Sequence, residues 1–254
     1  MRGASRQLRL MIVLTLVSLG MLIVASLSPF ASALQALSPT IVISQIYGAG
    51  GNSGATYQND FVELFNRGST TVNVTGWTVQ YAPATSSSWV STTLSGSIAP
   101  GQYLLVKQGS GGTSGIALPT SDVTGTINLS ASAGKVALVN NRTTFTTTCP
   151  LTNTNVIDFV GYGSSANCFE GAAPAPVSSN NANSTQRLAY GCTETDSNTG
   201  DFSTGPVRPR NTAYPKSSCA LTAEKLLITE VLYDGTQTDE GDEFIEINYA
   251  QLAH

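Results

Sequence analysis

The sequence has few charged residues and almost no histidine. Asp, Glu, Lys and Arg make up 11% of the 254 residues, and the single histidine is the last residue, His254. A Ser-His-Asp or Cys-His arrangement within a folded site is therefore not expected. No His/Cys cluster has the spacing of a zinc site. We predict no catalytic residues, no cofactor and no metal site.

Helical periodicity is also missing after the first 33 residues. Short runs rich in Val, Ile, Thr, Tyr and Phe alternate with Gly, Ser, Asn and Pro. Within one run, Trp77, Val79 and Tyr81 share a face. Many closely spaced strands with one polar face and no helices predict an antiparallel β-sandwich. The predicted strands are 41–47, 60–66, 71–74, 77–82, 88–94, 102–108, 126–129, 135–140, 156–161 and 185–189.

Residues 1–33 have the organisation of a secretory signal. Three arginines within the first nine residues precede an uncharged run over 10–27, and Ala31-Ser32-Ala33 has the small-x-small pattern of a cleavage site. This order predicts cleavage between Ala33 and Leu34 and a secreted or cell-surface protein. The alternative is an uncleaved hydrophobic helix that anchors the chain, because the run is near the lower limit for crossing a bilayer.

Removal of the signal makes the chain more acidic. The signal holds three of the 12 basic residues and none of the 16 acidic ones, so the mature charge is 9 − 16 = −7. Nucleic-acid binding depends on a basic surface. We therefore expect no nucleic-acid partner for this chain alone, and membrane contact only through an uncleaved signal. The expected partner is an unidentified protein or cell-envelope component, bound by a monomer.

The four cysteines follow the signal and form an even set in an oxidising destination. This favours disulfides, for which three pairings are possible. We prefer the two pairings that are local in sequence, Cys149 with Cys168 and Cys192 with Cys219, because both close loops inside irregular segments. In the loop-entropy model each bond contributes about 3 kcal/mol.

Two segments of the chain repeat. The sequence of 41–46 and 60–64 returns at 226–231 and 243–247, with offsets of 185 residues at the first strand and 183 at the second. A repeat of this length is the size of a domain. We predict a sandwich domain over 40–215, a linker over 216–224, and the truncated start of a second copy over 225–254.

The first copy carries motifs that resemble the lamin tail domain family, in its bacterial extracellular form. The resemblance is strongest in the strand 43–47, the Gly-rich loop 48–54 and the segment 59–68 with its Asp-Phe-Val-Glu-Leu core. Further matching segments follow in order: 74–77, 98–103, 134–139, 156–163, 167–171, 201–202 and 209–211. The resemblance implies an immunoglobulin-like β-sandwich without known catalytic residues. Bacterial domains of this kind often occur in secreted or surface proteins, some of which also contain an extracellular nuclease.

Three features could carry chemistry, and for each we favour a structural role. Asp60 and Glu63 could pair for metal or acid–base work, but the two positions face opposite sides of a strand. The Gly-rich loop 48–54 lacks the ending of a phosphate loop, so we interpret it as a flexible connection. The third feature is the tryptophans, which could be stacking platforms for a ligand. We predict that Trp77 is a core residue, together with Phe61 and Val79, whereas Trp89 could be either core or surface.

The acidic stretch 234–243 is the last candidate. Calcium prefers oxygen-rich loops, but the spacing fits no EF-hand pattern, so a solvated hairpin is the preferred interpretation. Two functions remain open. The favoured one is a non-catalytic interaction or structural module of an exported multi-domain protein. The alternative is an accessory domain of a secreted metal-dependent nuclease whose catalytic domain is missing from this chain.

The signal makes a direct prediction. The exported protein is expected to begin at Leu34, because the cleavage pattern ends at Ala33. N-terminal sequencing of protein recovered outside the cytoplasm checks this. Retention of Met1 or Arg2 would instead indicate an anchor.

Overall fold

The structure is a computed structural model that describes residues 40–219, 225–232 and 244–250. The predicted signal 1–33, its cleavage site at Ala33 and Leu34, the acidic stretch 234–243 and His254 lie outside the described residues. In the described ranges, no helix has the length and apolar character needed to cross a membrane.

The regular secondary structure of the described residues is almost entirely strand. One short helix, α1, covers Asn198–Asp201, and a 3-10 turn covers Ala189–Gly191. The strands are β1 Ile41–Tyr47, β2 Phe61–Asn66, β3 Val72–Asn73, β4 Thr78–Pro83, β5 Val90–Thr93, β6 Ser97–Ile98, β7 Tyr103–Lys107, β8 Val123–Thr124, β9 Gly134–Val139, β10 Val156–Tyr162, β11 Asn183–Arg187, β12 Phe202–Pro206, β13 Lys225–Leu232 and β14 Phe244–Ala250.

Two sheets enclose the main core. The six-stranded sheet has the order β12-β11-β1-β2-β7-β8, and the four-stranded sheet has the order β10-β9-β4-β5. All pairs in both sheets are antiparallel except β7 with β8. Alternate side chains of the two sheets, such as Ile43, Leu64, Val79 and Leu138, pack together with no exposed surface. The prediction of an all-β fold with antiparallel sheets is confirmed.

The central strands are buried on both faces, which differs from the predicted polar outer face. Every residue of β1, β2 and β9 is buried. Outside the six-stranded sheet, Tyr47 and Phe61 pack with Val207. Outside the four-stranded sheet, Trp89, Phe159 and Cys168 pack with Phe145 and Leu151. Irregular segments thus form an additional layer on each side, which explains the long apolar runs in these strands.

Each outer layer is fastened by a disulfide. Cys149 is bonded to Cys168 and Cys192 to Cys219, which is the sequence-local pairing. The second bond keeps residues 216–219 on the module, and the Ser217 amide also donates to the Gly101 carbonyl at 2.8 Å. Residues 216–219 of the predicted linker are therefore attached to the sandwich.

A β-bulge in β1 is used to join the two sheets. The register of β1 against β2 shifts between Ile43 and Gln45, so Ser44 is the extra residue. The main-chain amide of Ile43 donates to the Asp158 carboxylate of β10. Its carbonyl accepts from Arg187 Nε of β11 at 2.9 Å. Arg187 and Asp158 also form an ion pair at 2.8 Å. The groups that the bulge frees from the ladder are therefore satisfied by one buried ion pair.

The hairpin β13–β14 repeats this irregularity. Its register shifts between Ile228 and Glu230, so Thr229 is the extra residue. Thr229 occupies the position of Ser44, 185 residues further along the chain. The sequence repeat is therefore also a repeat of backbone register.

Five local predictions need correction, one of which is the omission of the two-residue strand β8. Residues 126–129 form no strand, because the amides of Ile127 and Leu129 donate to the side chains of Gln108 and Asp60 rather than to a neighbouring strand. Helix α1 was not predicted. Strands β6 and β12 were also missed: β6 has two residues, and β12 contains Gly205 and Pro206.

The burial of the two tryptophans differs from the prediction, because Trp89 is more deeply buried than Trp77. Phe61 and Val79 have no exposed surface, as expected for core residues. Trp77 is only partly buried and packs against the margin of the main core. Trp89 is 7% exposed, donates from Nε1 to the Thr147 carbonyl at 2.8 Å and makes an edge contact with Phe159.

This difference predicts the outcome of two substitutions. Trp89→Ala is expected to reduce the free energy of unfolding by about 3–5 kcal/mol, because it leaves a cavity beneath the outer layer. Trp77→Ala is the matched control and should cost clearly less. Urea unfolding of both variants with disulfides intact provides the comparison. A larger loss for Trp77→Ala would contradict the packing described here.

Candidate functional site

The first candidate pair, Asp60 and Glu63, is buried, and both carboxylates bind other residues of the fold. Asp60 is fully buried, and its two carboxylate oxygens accept from the amides of Gly50 and Leu129, each at 2.8 Å. Burial raises the pKa of Asp60 to about 7, a value suitable for acid–base catalysis. Both oxygens are already bonded and none of the side chain is exposed, so no substrate can reach it. Its role is to hold the Gly-rich loop.

That loop is packed rather than flexible, contrary to the prediction. The position of a Cβ on Gly50 lies 2.1 Å from the Asn59 carbonyl carbon, so no larger residue fits. Gly51 has φ of 77°, where a side chain is strained. The close approach of main chain to main chain explains both glycines.

Glu63 binds a side chain that is remote in sequence. It forms a buried ion pair with Arg210 at 2.7 Å, and it accepts from the Arg210 amide at 2.7 Å and from Ser44 Oγ at 2.6 Å. Arg210 also lies over the ring of Tyr103, 3.8 Å from its centre. Glu63 of β2 thereby fixes the C-terminal segment 207–219 on the sheet.

A second buried cluster surrounds Arg187. Its guanidinium contacts the carboxylates of Asp158, Glu194 and Asp201, and all four side chains are almost completely buried. Glu170 lies nearby and accepts from Asn198 Nδ2 at 3.0 Å. One cation faces more carboxylates than it can neutralise. Desolvation and the negative charge of Asp158 and Glu194 raise the pKa of Glu170 to about 10, so Glu170 is uncharged at neutral pH.

These acids do not form a metal site. In the ranges that the structure describes, no group of three or more His, Cys, Asp or Glu side chains is arranged to hold a metal ion. The acidic stretch 234–243, the candidate for calcium, lies outside those ranges.

The burial of carboxylates changes the interpretation of the charge. Residues 40–219 contain eight acidic and eight basic residues, so their formal charge is zero, and the mature excess of −7 belongs to residues 220–254. Six of the eight carboxylates are buried and the other two, Asp122 and Asp196, are half-buried. Arg142, Arg208 and Lys216 are exposed. The surface of residues 40–219 is therefore positive, and the negative charge predicted for the mature chain belongs to the sequence after Cys219.

Some of these cations lie beside a groove on the outer layer of the six-stranded sheet. The groove has a volume of about 310 Å³. We call it the tyrosine groove, and the residues that define its open side are Gln186, Leu188, Tyr190, Ser203, Arg208 and Tyr214. Ser217 lines it and also lines a neighbouring depression of about 460 Å³ that contains Arg67 and Lys216. Large side chains are unusually exposed here, with Tyr190 at 67% and Tyr214 at 49%.

The position of Tyr190 depends on strained backbone. Ala189 and Tyr190 both have positive φ, at 50° and 60°. Such conformations persist only where the surroundings impose them. Here the Tyr103 hydroxyl donates to the Tyr190 carbonyl at 2.9 Å, and Cys192 is bonded to Cys219. The main chain at Ala189 and Tyr190 is therefore held in an unfavourable conformation, and the Tyr190 side chain is exposed.

The sequence analysis did not identify this groove. Tyr190, Arg208 and Tyr214 lie in or beside irregular segments whose strands and turns have weak patterns. Proximity to two cysteines was the available signal, since a disulfide fixes the segments that carry all three residues.

The fold and the buried clusters define an antiparallel β-sandwich module whose six buried carboxylates over residues 40–219 form hydrogen bonds or ion pairs within the fold. The family model of the Lamin Tail Domain matches residues 35–164, which is just over half of the chain. The chain belongs to the lamin tail domain family.

Two other comparisons complete the picture. The crystal structure of a DUF4876 family protein from Bacteroides thetaiotaomicron is similar to this chain, with 14% sequence identity and a TM-score of 0.44. The similarity covers 73% of this chain and 76% of that one. No curated protein matches the chain.

Substitution of Arg187 is expected to cause a large loss of stability. Arg187→Met leaves three buried carboxylates without their cation, and we expect the free energy of unfolding to fall by about 3–5 kcal/mol. Arg208→Met is the control, because this exposed arginine makes no side-chain hydrogen bond or ion pair with the described residues. Equal melting temperatures for the two variants would contradict the assignment.

Glu170 predicts a pH dependence. Its pKa is about 10 in the folded protein against an ordinary value of 4.5, so the fold favours the protonated form. This contribution is fully present below pH 4.5 and is lost as the pH rises towards 10. Glu170→Gln has no proton to lose, so its stability relative to the wild type should increase from pH 5 to pH 9. Urea unfolding at pH 5, 7 and 9 measures the difference, and a constant difference would contradict it.

Proposed function

We propose that this chain is an exported, non-catalytic interaction module of a secreted or cell-surface protein. The observation that supports this proposal is that its buried acidic side chains bind other parts of the fold. All six buried carboxylates of residues 40–219 are engaged in hydrogen bonds or ion pairs that join strands, loops and layers. Asp60 holds a loop, Glu63 holds the C-terminal segment, and Asp158 joins the sheets. The exposed chemistry consists of tyrosines and cations, which are suited to binding.

Export is supported by three observations. The N-terminal sequence has the pattern of a secretory signal. Two disulfides hold the outer layers, and such bonds persist in oxidising compartments. The hydroxyl-rich, weakly charged composition is typical of extracellular β-domains.

The first experiment tests export. The full chain is produced in its native cells, and its location and disulfide state are measured by fractionation and thiol labelling. We expect an extracellular or surface protein without free thiols, because both cysteine pairs are bonded. A reduced cytoplasmic protein would refute export.

The second experiment tests catalysis directly. The purified mature chain is incubated with supercoiled plasmid in the presence of Mg²⁺, Mn²⁺ or Ca²⁺. No cleavage is expected, because Asp60 and Glu63 are buried and bonded. Metal-dependent cleavage that is lost in Asp60→Asn would show that the structural role assigned to this carboxylate is wrong.

A further inference from the structure

The tyrosine groove has the features of a protein-binding surface. Tyr and Arg are enriched where binding energy is concentrated in protein interfaces. Here Tyr190, Tyr214 and Arg208 surround one groove, with Leu188 exposed beside them. A patch that combines exposed aromatic and aliphatic side chains is more than scattered surface hydrophobicity.

Its geometry is fixed before any partner arrives. Buried Tyr103 supports two of the lining residues: its ring makes an edge contact with Tyr214 at 5.9 Å, and its hydroxyl accepts from Arg210 at 2.7 Å. Arg210 is itself held by buried Glu63. The backbone of Arg208 is bonded on both sides by Gln45, at 3.0 Å from its amide and 2.7 Å from its carbonyl. A preorganised surface loses little entropy on binding.

The exposed charges beside the tyrosine groove favour an anionic ligand. Arg208 and Lys216 are exposed, and neither side chain bonds to another residue in the described ranges. No Asp or Glu of those ranges lines the tyrosine groove or the neighbouring depression. In the rest of residues 40–219 the carboxylates are buried or half-buried, so exposed cations outnumber exposed carboxylates on this part of the chain.

We propose that the tyrosine groove binds an acidic peptide segment of a partner protein. The inference rests on the proposed interaction function and names the class of partner. Carboxylates of the segment pair with Arg208 and Lys216, while its apolar atoms pack on Tyr190 and Tyr214. Strand β12 lies at the edge of its sheet and contributes Ser203 to the groove. An extended peptide can therefore form main-chain hydrogen bonds at this edge.

A peptide fits better than nucleic acid. Duplex DNA carries a negative charge about every 1.7 Å, and its binding proteins commonly neutralise several phosphates. The groove and its neighbouring depression offer only two exposed cations, together with Arg67 and the Glu63-bound Arg210. That number matches a few carboxylates on a short segment.

Binding is tested with the full mature chain and a fluorescent peptide. The probe is an octapeptide of alternating Glu and Thr, and its uncharged counterpart contains Gln in place of Glu. Fluorescence anisotropy at low and physiological salt gives Kd for each. We expect the acidic peptide to bind and the Gln peptide to bind at least about tenfold more weakly.

Two charge reversals locate the site. Arg208→Glu is expected to weaken the acidic peptide by about tenfold or more. Arg142→Glu makes the same change of charge at an exposed arginine that lines neither depression, and it should bind like the wild type. Tyr190→Ser should also weaken binding, and melting curves verify that each variant is folded. Equal binding by all variants, or no binding by the wild type, overturns the proposal.

Two further ligands test the class of partner. A 16-base-pair DNA duplex and a polyuronate are titrated against the same variants. Tighter binding of either one than of the peptide, with the same dependence on Arg208, would overturn the peptide assignment. Export and absence of catalysis are measured independently, so the proposed function can hold when this inference fails.

Discussion

The buried ion pair between Arg187 and Asp158 is the interaction on which the rest of the sandwich depends. It connects β11 of one sheet to β10 of the other, and both side chains bind the main chain of Ile43 at the bulge in β1. Buried ion pairs often contribute little net stability, because desolvation offsets attraction. This one also satisfies main-chain groups that the bulge leaves without ladder partners, so its replacement by apolar residues would leave those groups unpaired. We therefore infer that it determines how the sheets are aligned.

The exposed surface is a consequence of this internal use of charge. Glu63 and Arg210 fix the C-terminal segment as an outer layer, and the cluster at Arg187 removes Asp158, Glu194 and Asp201 from solvent. A module with equal numbers of acidic and basic residues thereby acquires a positive exterior. Net charge governs long-range attraction, whereas a partner in contact with the surface meets mainly the exposed charges. In this protein burial, rather than composition, determines the sign that a partner encounters.

The sequence predicted the positions of the strands better than the irregular layers that cover them. Alternating or continuous apolar patterns located β1, β2, β4, β7, β9 and β10 closely, because their periods reflect packing. Residues 126–129 have a similar pattern, but side chains of Gln108 and Asp60 replace a neighbouring strand there. The outer layers were not predicted, since irregular segments have no period and their position depends on contacts such as Glu63 with Arg210. Trp77 and Trp89 were misjudged for the same reason: the layer that buries Trp89 is irregular.

The repeated bulge shows how much local structure the duplicated segment encodes. Ser44 and Thr229 are both extra residues in a hairpin, and both carry a hydroxyl. In the first copy the Ser44 hydroxyl donates to Glu63, and Glu246 is the residue that corresponds to Glu63 in the second. In the first copy the same bulge exposes Ile43 to Asp158 and Arg187, which come from strands far along the chain. A bulge kept without such groups would leave main-chain donors unsatisfied. We therefore interpret β13–β14 as the counterpart of β1–β2.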